Sequence, residues 1–178
     1  MTSQPATAPT DLTAERADLL ETLAAHRHFL RFTVLGLTDE QARLRPTASE
    51  LTLGGLVKHV AGTEESWVDF ILEGTSAMAA ADDPAQLEAW GEEFRMRPDE
   101  TLAGILARYD AVAQRTDDLV RTLPDLDLAH PLPEAPWFPP GAVRSARRVF
   151  LHIVAETAQH AGHADILRES LDGQKTMG

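Results

Sequence analysis

Residues Arg144 to Gly173, RSARRVFLHIVAETAQHAGHADILRESLDG, decide the fold. At about 100° per residue the stretch gathers Val149, Ile153, Leu167 and Leu171 into one apolar stripe, and His152, Glu156, His160 and His163 fall inside that stripe. Three imidazoles and a carboxylate therefore stand where a core helix carries leucine. Burying such groups without partners is costly, so a hydrogen-bonding network or a metal ion must satisfy them. Ser145 is a natural N-cap and Asp172-Gly173 a natural stop, which makes this a long, complete helix.

Outward from it, the five prolines at 131, 133, 136, 139 and 140 forbid regular helix between Asp125 and Gly141, so a long crossover loop without strands is expected. Pro98-Asp99 opens a third long helix that runs to about Leu123, burying Leu102, Ile105, Leu106, Tyr109, Val112, Leu119 and Val120 before Pro124 closes it. Thr52 caps a second long helix ending near Glu73-Gly74, with Leu53, Leu56, Val57, Val60, Trp67, Val68 and Ile71 on its face and His59 at one flank. The first helix spans about Leu12 to Gly36 on Leu19, Leu20, Leu23, Leu30, Thr33, Val34 and Leu37. Thr38 to Gln41 matches a capping box for a short helix ahead of Arg45-Pro46. Asp83-Pro84 with Gln86 reads as the start of another brief helix. Residues 1–10, rich in Thr, Ala and Pro, read as a mobile tail, and 11–178 as a single domain. Four long amphipathic helices with a lengthy third connection and short accessory helices make an all-α four-helix bundle.

Composition narrows the function. A formal charge of −12, from 28 acidic against 16 basic residues, repels phosphate backbones and argues against nucleic acid as a partner. No run approaches the roughly 20 apolar residues of a membrane span, and the N-terminus lacks a basic head and an apolar core, so a cytoplasmic protein is expected. There is no cysteine, so any thiol chemistry must use a thiol brought by a substrate.

In a bundle a residue on one helix can meet a pair projecting from its neighbour. Glu156 and His160, four apart, can chelate one ion, and His59 is the natural third ligand. Spacing alone leaves rivals open. His152 with Glu156 is another such pair, His160 with His163 a third, and a helical Glu/His pair can simply be a hydrogen-bonded core pair. The pattern is not HExxH, so a metalloprotease is not supported. His26 reads as a core or boundary residue, His28 as exposed, and His130 as an unremarkable loop histidine. Trp67, Trp90 and Trp137 read as packing residues, with Trp137-Phe138 able to roof a pocket. Arg144, Arg147 and Arg148 read as solvated helix-surface arginines, with anion binding as the alternative.

LTLGGLVKHVAGTEESWVDFILEG together with HIVAETAQHAGHADILRESLDG resembles the DinB/YfiT-like superfamily, in its actinobacterial branch that includes mycothiol-dependent maleylpyruvate isomerase. The resemblance runs from Glu15 through Gly173. It implies a four-helix bundle, usually dimeric, with a divalent metal held by one His of the second helix and two ligands a turn apart on the last. Many members use three histidines, and the isomerase branch has Glu as the first of the pair, which by position gives His59, Glu156 and His160. Relatives are expected to carry an acid where Ala155 stands and an aromatic where Arg148 stands, so the pocket rim differs here. His163 takes a supporting position, orienting Glu156 or a bound water, and His152 and Arg148 are pocket candidates.

The function this implies is a transferase or isomerase using a divalent metal, zinc first with nickel or iron as alternatives, to activate a mycothiol-type thiol toward an electrophilic small molecule. A metal-dependent hydrolase that activates water, and a non-catalytic metal- or ligand-binding stress protein, are the alternatives. A homodimer is the expected assembly.

Overall fold

A computed structural model describes residues 12–78 and 91–176; the expected N-terminal tail and the brief helix at Asp83-Pro84 lie outside the described residues. The long helices are α1 (Ala14–Phe32), α3 (Leu53–Glu73), α4 (Leu102–Thr122) and α5 (Ala146–Asp172), with a five-residue α2 (Asp39–Arg43) and a 3-10 turn (Gly74–Ala77) as accessories. Among the described residues no helix is long and apolar enough to cross a membrane. α1 packs on α5, and α3 packs on both α4 and α5, which is the expected all-α bundle.

Local chemistry sets most of the ends. Thr13, Thr52, Thr101 and Ser145 each accept a backbone N–H of the first turn of α1, α3, α4 and α5. Thr38 and Gln41 form both halves of the capping box on α2. Gly173 ends α5 at φ +84°, a left-handed conformation that suits glycine.

Two expectations need correction. α4 begins at Thr101–Leu102, not at Pro98-Asp99, because the Glu100 carboxylate is occupied elsewhere, taking the Arg97 backbone N–H and the Lys58 ammonium of α3. Asp39 of α2 then accepts the Leu102 N–H, so the start of α4 is set from two other helices. The connection after α4 also holds two short strands. β1 (Ala129–Pro131) and β2 (Val143–Ser145) pair antiparallel, His130 opposite Arg144, and close the proline-rich segment into a loop. Pro131 stands at the end of its strand, where a missing N–H is tolerated.

The core is in two parts. One holds Leu30, Leu53, Leu56, Tyr109 and Leu167, and the other Leu23, Trp67, Phe70, Val120, Phe150 and Ile153. Where each long helix passes from one part to the other it carries buried polar residues: Arg27 on α1, Glu64 on α3, Thr116 on α4, Thr157 and His160 on α5. The first three satisfy one another. Arg27 reaches Glu64 at 2.5 Å and Asp117 at 2.7 Å, and Thr116 donates to Glu64 at 2.6 Å. Burial opposes the Arg27 charge, and Glu64 more than offsets it, so its pKa is held above the ordinary value.

Candidate metal centre

The second polar group at this junction opens toward solvent. Glu156 and His160 project from one face of α5, with the carboxylate 3.5 Å from the His160 Nε2, and His59 of α3 meets His160 edge to face at a ring distance of 4.9 Å. One ligand atom from each of His59, Glu156 and His160 lies within 4.8 Å of the others. Two ligands of a tetrahedral zinc at 2.0–2.2 Å stand about 3.4 Å apart, so the Glu156–His160 pair already has that separation and His59 needs only a small approach. The atom that most needs a partner is His59 Nδ1. It is buried and has no hydrogen bond among the described residues, the Glu93 carboxylate being at 3.7 Å, beyond hydrogen-bond reach. A borderline nitrogen–oxygen donor set with a buried, unpartnered imidazole nitrogen fits a divalent cation.

The surroundings explain how the trio is held. On α3, glycines at 54, 55 and 62 let the segment Glu93 to Met96 lie directly on the helix. A Cβ at Gly55 would stand 1.8 Å from the Phe94 carbonyl oxygen, and one at Gly62 would stand 3.0 Å from the Glu93 carboxylate. That close approach stacks Phe94 on His59 at 3.8 Å between ring centres and sets Glu93 at the imidazole edge. Neither Glu93 nor Phe94 was expected from the sequence. The glycine spacing on α3 was the available signal, since a helix face without side chains marks a close backbone neighbour.

The other candidates fall around the trio. His152 Nε2 is 3.8 Å from the far oxygen of Glu156, and its ring meets Trp67 edge-on at 4.9 Å. Burial lowers the His152 pKa, the Arg144 and Arg148 charges add to that, and Glu156 works against them. The His160 imidazole beside it holds the Glu156 carboxyl below its ordinary value despite partial burial. His163 faces His160, Nδ1 to Nδ1 at 3.5 Å. The neighbour it meets is thus His160, beside the Glu156 that the sequence reading paired it with. Arg148 is exposed and outside the cavity lining, and it acts on His152 through charge alone. His130 packs against Phe70, and His26 is half-buried while its neighbour Arg27 takes the inward position.

A cavity of about 530 Å³ lies over the trio, bounded by His59, Glu156, His152, Trp67, Phe94 and the loop pair Trp137-Phe138. The roofing expected of Trp137-Phe138 is thus present. His59, His152 and Glu156 line this aromatic-walled pocket, which is large enough for a small molecule, and His160 lies behind them outside its lining. The family model for mycothiol S-transferase matches residues 18–173. The chain belongs to that family. A search of curated proteins finds no match. Membership places the chain among mycothiol-related transferases, for which a small-molecule thiol is a substrate, and a chain without cysteine needs its thiol from outside.

Proposed function

We propose that this chain transfers a low-molecular-weight thiol of the mycothiol type onto an electrophilic small molecule, with His59, Glu156 and His160 holding a divalent cation, zinc in the first place and nickel or iron as alternatives. The observation that carries the reading is the convergence of these three ligand atoms within 4.8 Å beneath a cavity, with His59 Nδ1 buried and unpartnered. When bound, the cation supplies Lewis acidity that lowers a thiol's pKa and favours the thiolate.

The chain's own residues do the rest. Glu156, kept ionised beside His160, offers an anionic oxygen as a ligand. Phe94 fixes the plane of the His59 ring by stacking, and His163 fixes that of His160. Trp67, Phe94 and Phe138 give the cavity aromatic walls against which the apolar part of an electrophile can pack. His152 carries a nitrogen at the cavity wall where the proton leaving the thiol can be held, at Nε2.

Elemental analysis of the purified protein tests the ligand set. Wild type is expected to hold one divalent ion per chain, and Glu156→Ala and His160→Ala to hold none. Cobalt-substituted wild type is expected to change its visible absorption when mycothiol is added and not when its S-methyl derivative is. Full metal content in both variants would remove the assignment of the centre, and an unchanged cobalt spectrum would remove the thiol from it.

A further inference from the structure

Among the described residues, Arg144 is a cation without a counter-charge. It lies in β2 just before the Ser145 cap, and its guanidinium carbon stands 4.8 Å from the ring centre of Trp67 and 5.4 Å from that of Phe138. Both rings line the cavity over Glu156, so Arg144 backs the cavity wall. Its Nη1 is buried and has no hydrogen-bond partner among the described residues. Four residues on, Arg148 also has no carboxylate among the described residues. Every other arginine has a carboxylate within ion-pair distance or donates to a backbone carbonyl.

In a chain with 28 acidic residues for 16 basic ones, two neighbouring unpaired arginines do not arise from a shortage of carboxylates. Partial burial and the charge of Arg148 both press the Arg144 pKa below its ordinary value, and an anion between the two would relieve that strain on the charge. The two aromatic faces hold the planar fork, and what the fork lacks is an acceptor. His152 links the two places, its ring meeting Trp67 edge-on at 4.9 Å on one side and its Nε2 standing 3.8 Å from Glu156 on the other.

Resting on the transferase reading, we propose that Arg144, assisted by Arg148, is a carboxylate-recognition site for the electrophilic substrate, which enters with its anionic end at Arg144 and its reacting carbon toward Glu156. The acceptor class is a carboxylate-bearing electrophile. A bidentate, charge-assisted pair in an aromatic-walled site selects it over an uncharged isostere.

Isothermal titration of benzoate and of benzamide into the full-length protein tests the site without requiring turnover. Wild type is expected to prefer benzoate by about tenfold or more. Arg144→Met, with helical circular dichroism unchanged, is expected to abolish the preference, Arg144→Lys to keep part of it, and Arg148→Met to reduce it. Arg108→Met, which removes a surface partner of Glu65, is expected to leave it intact. Equal binding of the two compounds by wild type, or an undiminished preference in Arg144→Met, would overturn the proposal.

The kinetic arm uses 4-chloro-3-nitrobenzoate and its benzamide. The thiolate forms a C–S bond, chloride leaves with the C–Cl electron pair, and the thiol proton passes to buffer. Arg144→Met is expected to raise KM for the acid with little change in kcat and to leave the amide unaffected. Benzoate should compete with the electrophile; competition with the thiol would overturn the assignment to the electrophile. Absence of all thiol transfer would count against the transferase reading, while the titration would still decide whether Arg144 binds carboxylate.

Discussion

The Arg27–Glu64–Thr116 cluster and the His59–Glu156–His160 cluster sit at the same junction of the core and differ in what their atoms face. In the first, each polar atom meets another at hydrogen-bond distance, and Arg27 and Glu64 are 5% and 1% exposed. In the second the pairs stand at 3.5 to 3.8 Å, an imidazole nitrogen has no partner, and a cavity opens above. A closed cluster holds the helices together and has no valence left for a ligand. An open one contributes little to folding and keeps its donors available. Charge and burial alone would not separate the two; satisfaction does.

The contrast breaks most sharply in stability. Arg27→Met leaves the buried Glu64 carboxylate without its arginine, and urea denaturation is expected to show a loss of about 3–5 kcal/mol. The double variant Arg27→Met/Glu64→Leu should recover most of that, since an apolar pair of similar volume removes the uncompensated charge. Glu156→Ala in the metal-free protein is expected to stay within about 1 kcal/mol of wild type in the same titration. A loss as large as that of Arg27→Met would place the open cluster with the structural one.

Next in size is an effect on the metal. Glu93 lies 3.7 Å from His59 Nδ1 and sets a negative charge at that edge of the ring. Glu93→Gln is expected to weaken zinc affinity by about tenfold in a competition with a chromophoric chelator, with urea stability unchanged. Unchanged affinity would show that Phe94 stacking alone orients the ring.

The smallest effect is one of pH. The His152 pKa lies below the ordinary 6.5 in the folded chain, so between the two values the unfolded chain binds more protons and stability falls as pH drops below about 6.5. Glu156, held below its ordinary 4.5, adds stability that is present above that value and lost as pH falls through its folded pKa. The melting temperature of metal-free His152→Gln is therefore expected to decline less than that of wild type on acidification from pH 7 to pH 5. Parallel curves for the two proteins would show that His152 is not buried enough to matter.

The helices were legible because their caps are local: Thr38 with Gln41, Thr52 and Ser145 need only their own first turn. The start of α4 was not, because Glu100 is drawn to Lys58 and Asp39 crosses from α2 to cap the chain, and both are tertiary events. The ribbon of β1 and β2 is three residues a side with a proline in it, too short for any alternation to register. Arg27 and Glu64 escaped notice because one charge on an apolar stripe resembles a helix boundary until its partner is seen. For the site, spacing offered three overlapping pairs on α5. The fold brings His59 to Glu156 and His160 and leaves His152 and His163 at either side, a choice that depends on how α3 is rotated against α5.

The bare face of α3 has a consequence for how this protein can vary. Glycine in a helix interior costs roughly 1 kcal/mol against alanine, so three of them are a standing disadvantage that ordinary drift would remove. Here drift is blocked at Gly55, where a single methyl would collide with the Phe94 carbonyl. The contact is with backbone, not with a side chain. The strap across His59 can therefore change its residues from one descendant to another, and with them the lining of the pocket, while its path along the helix stays where the glycines put it.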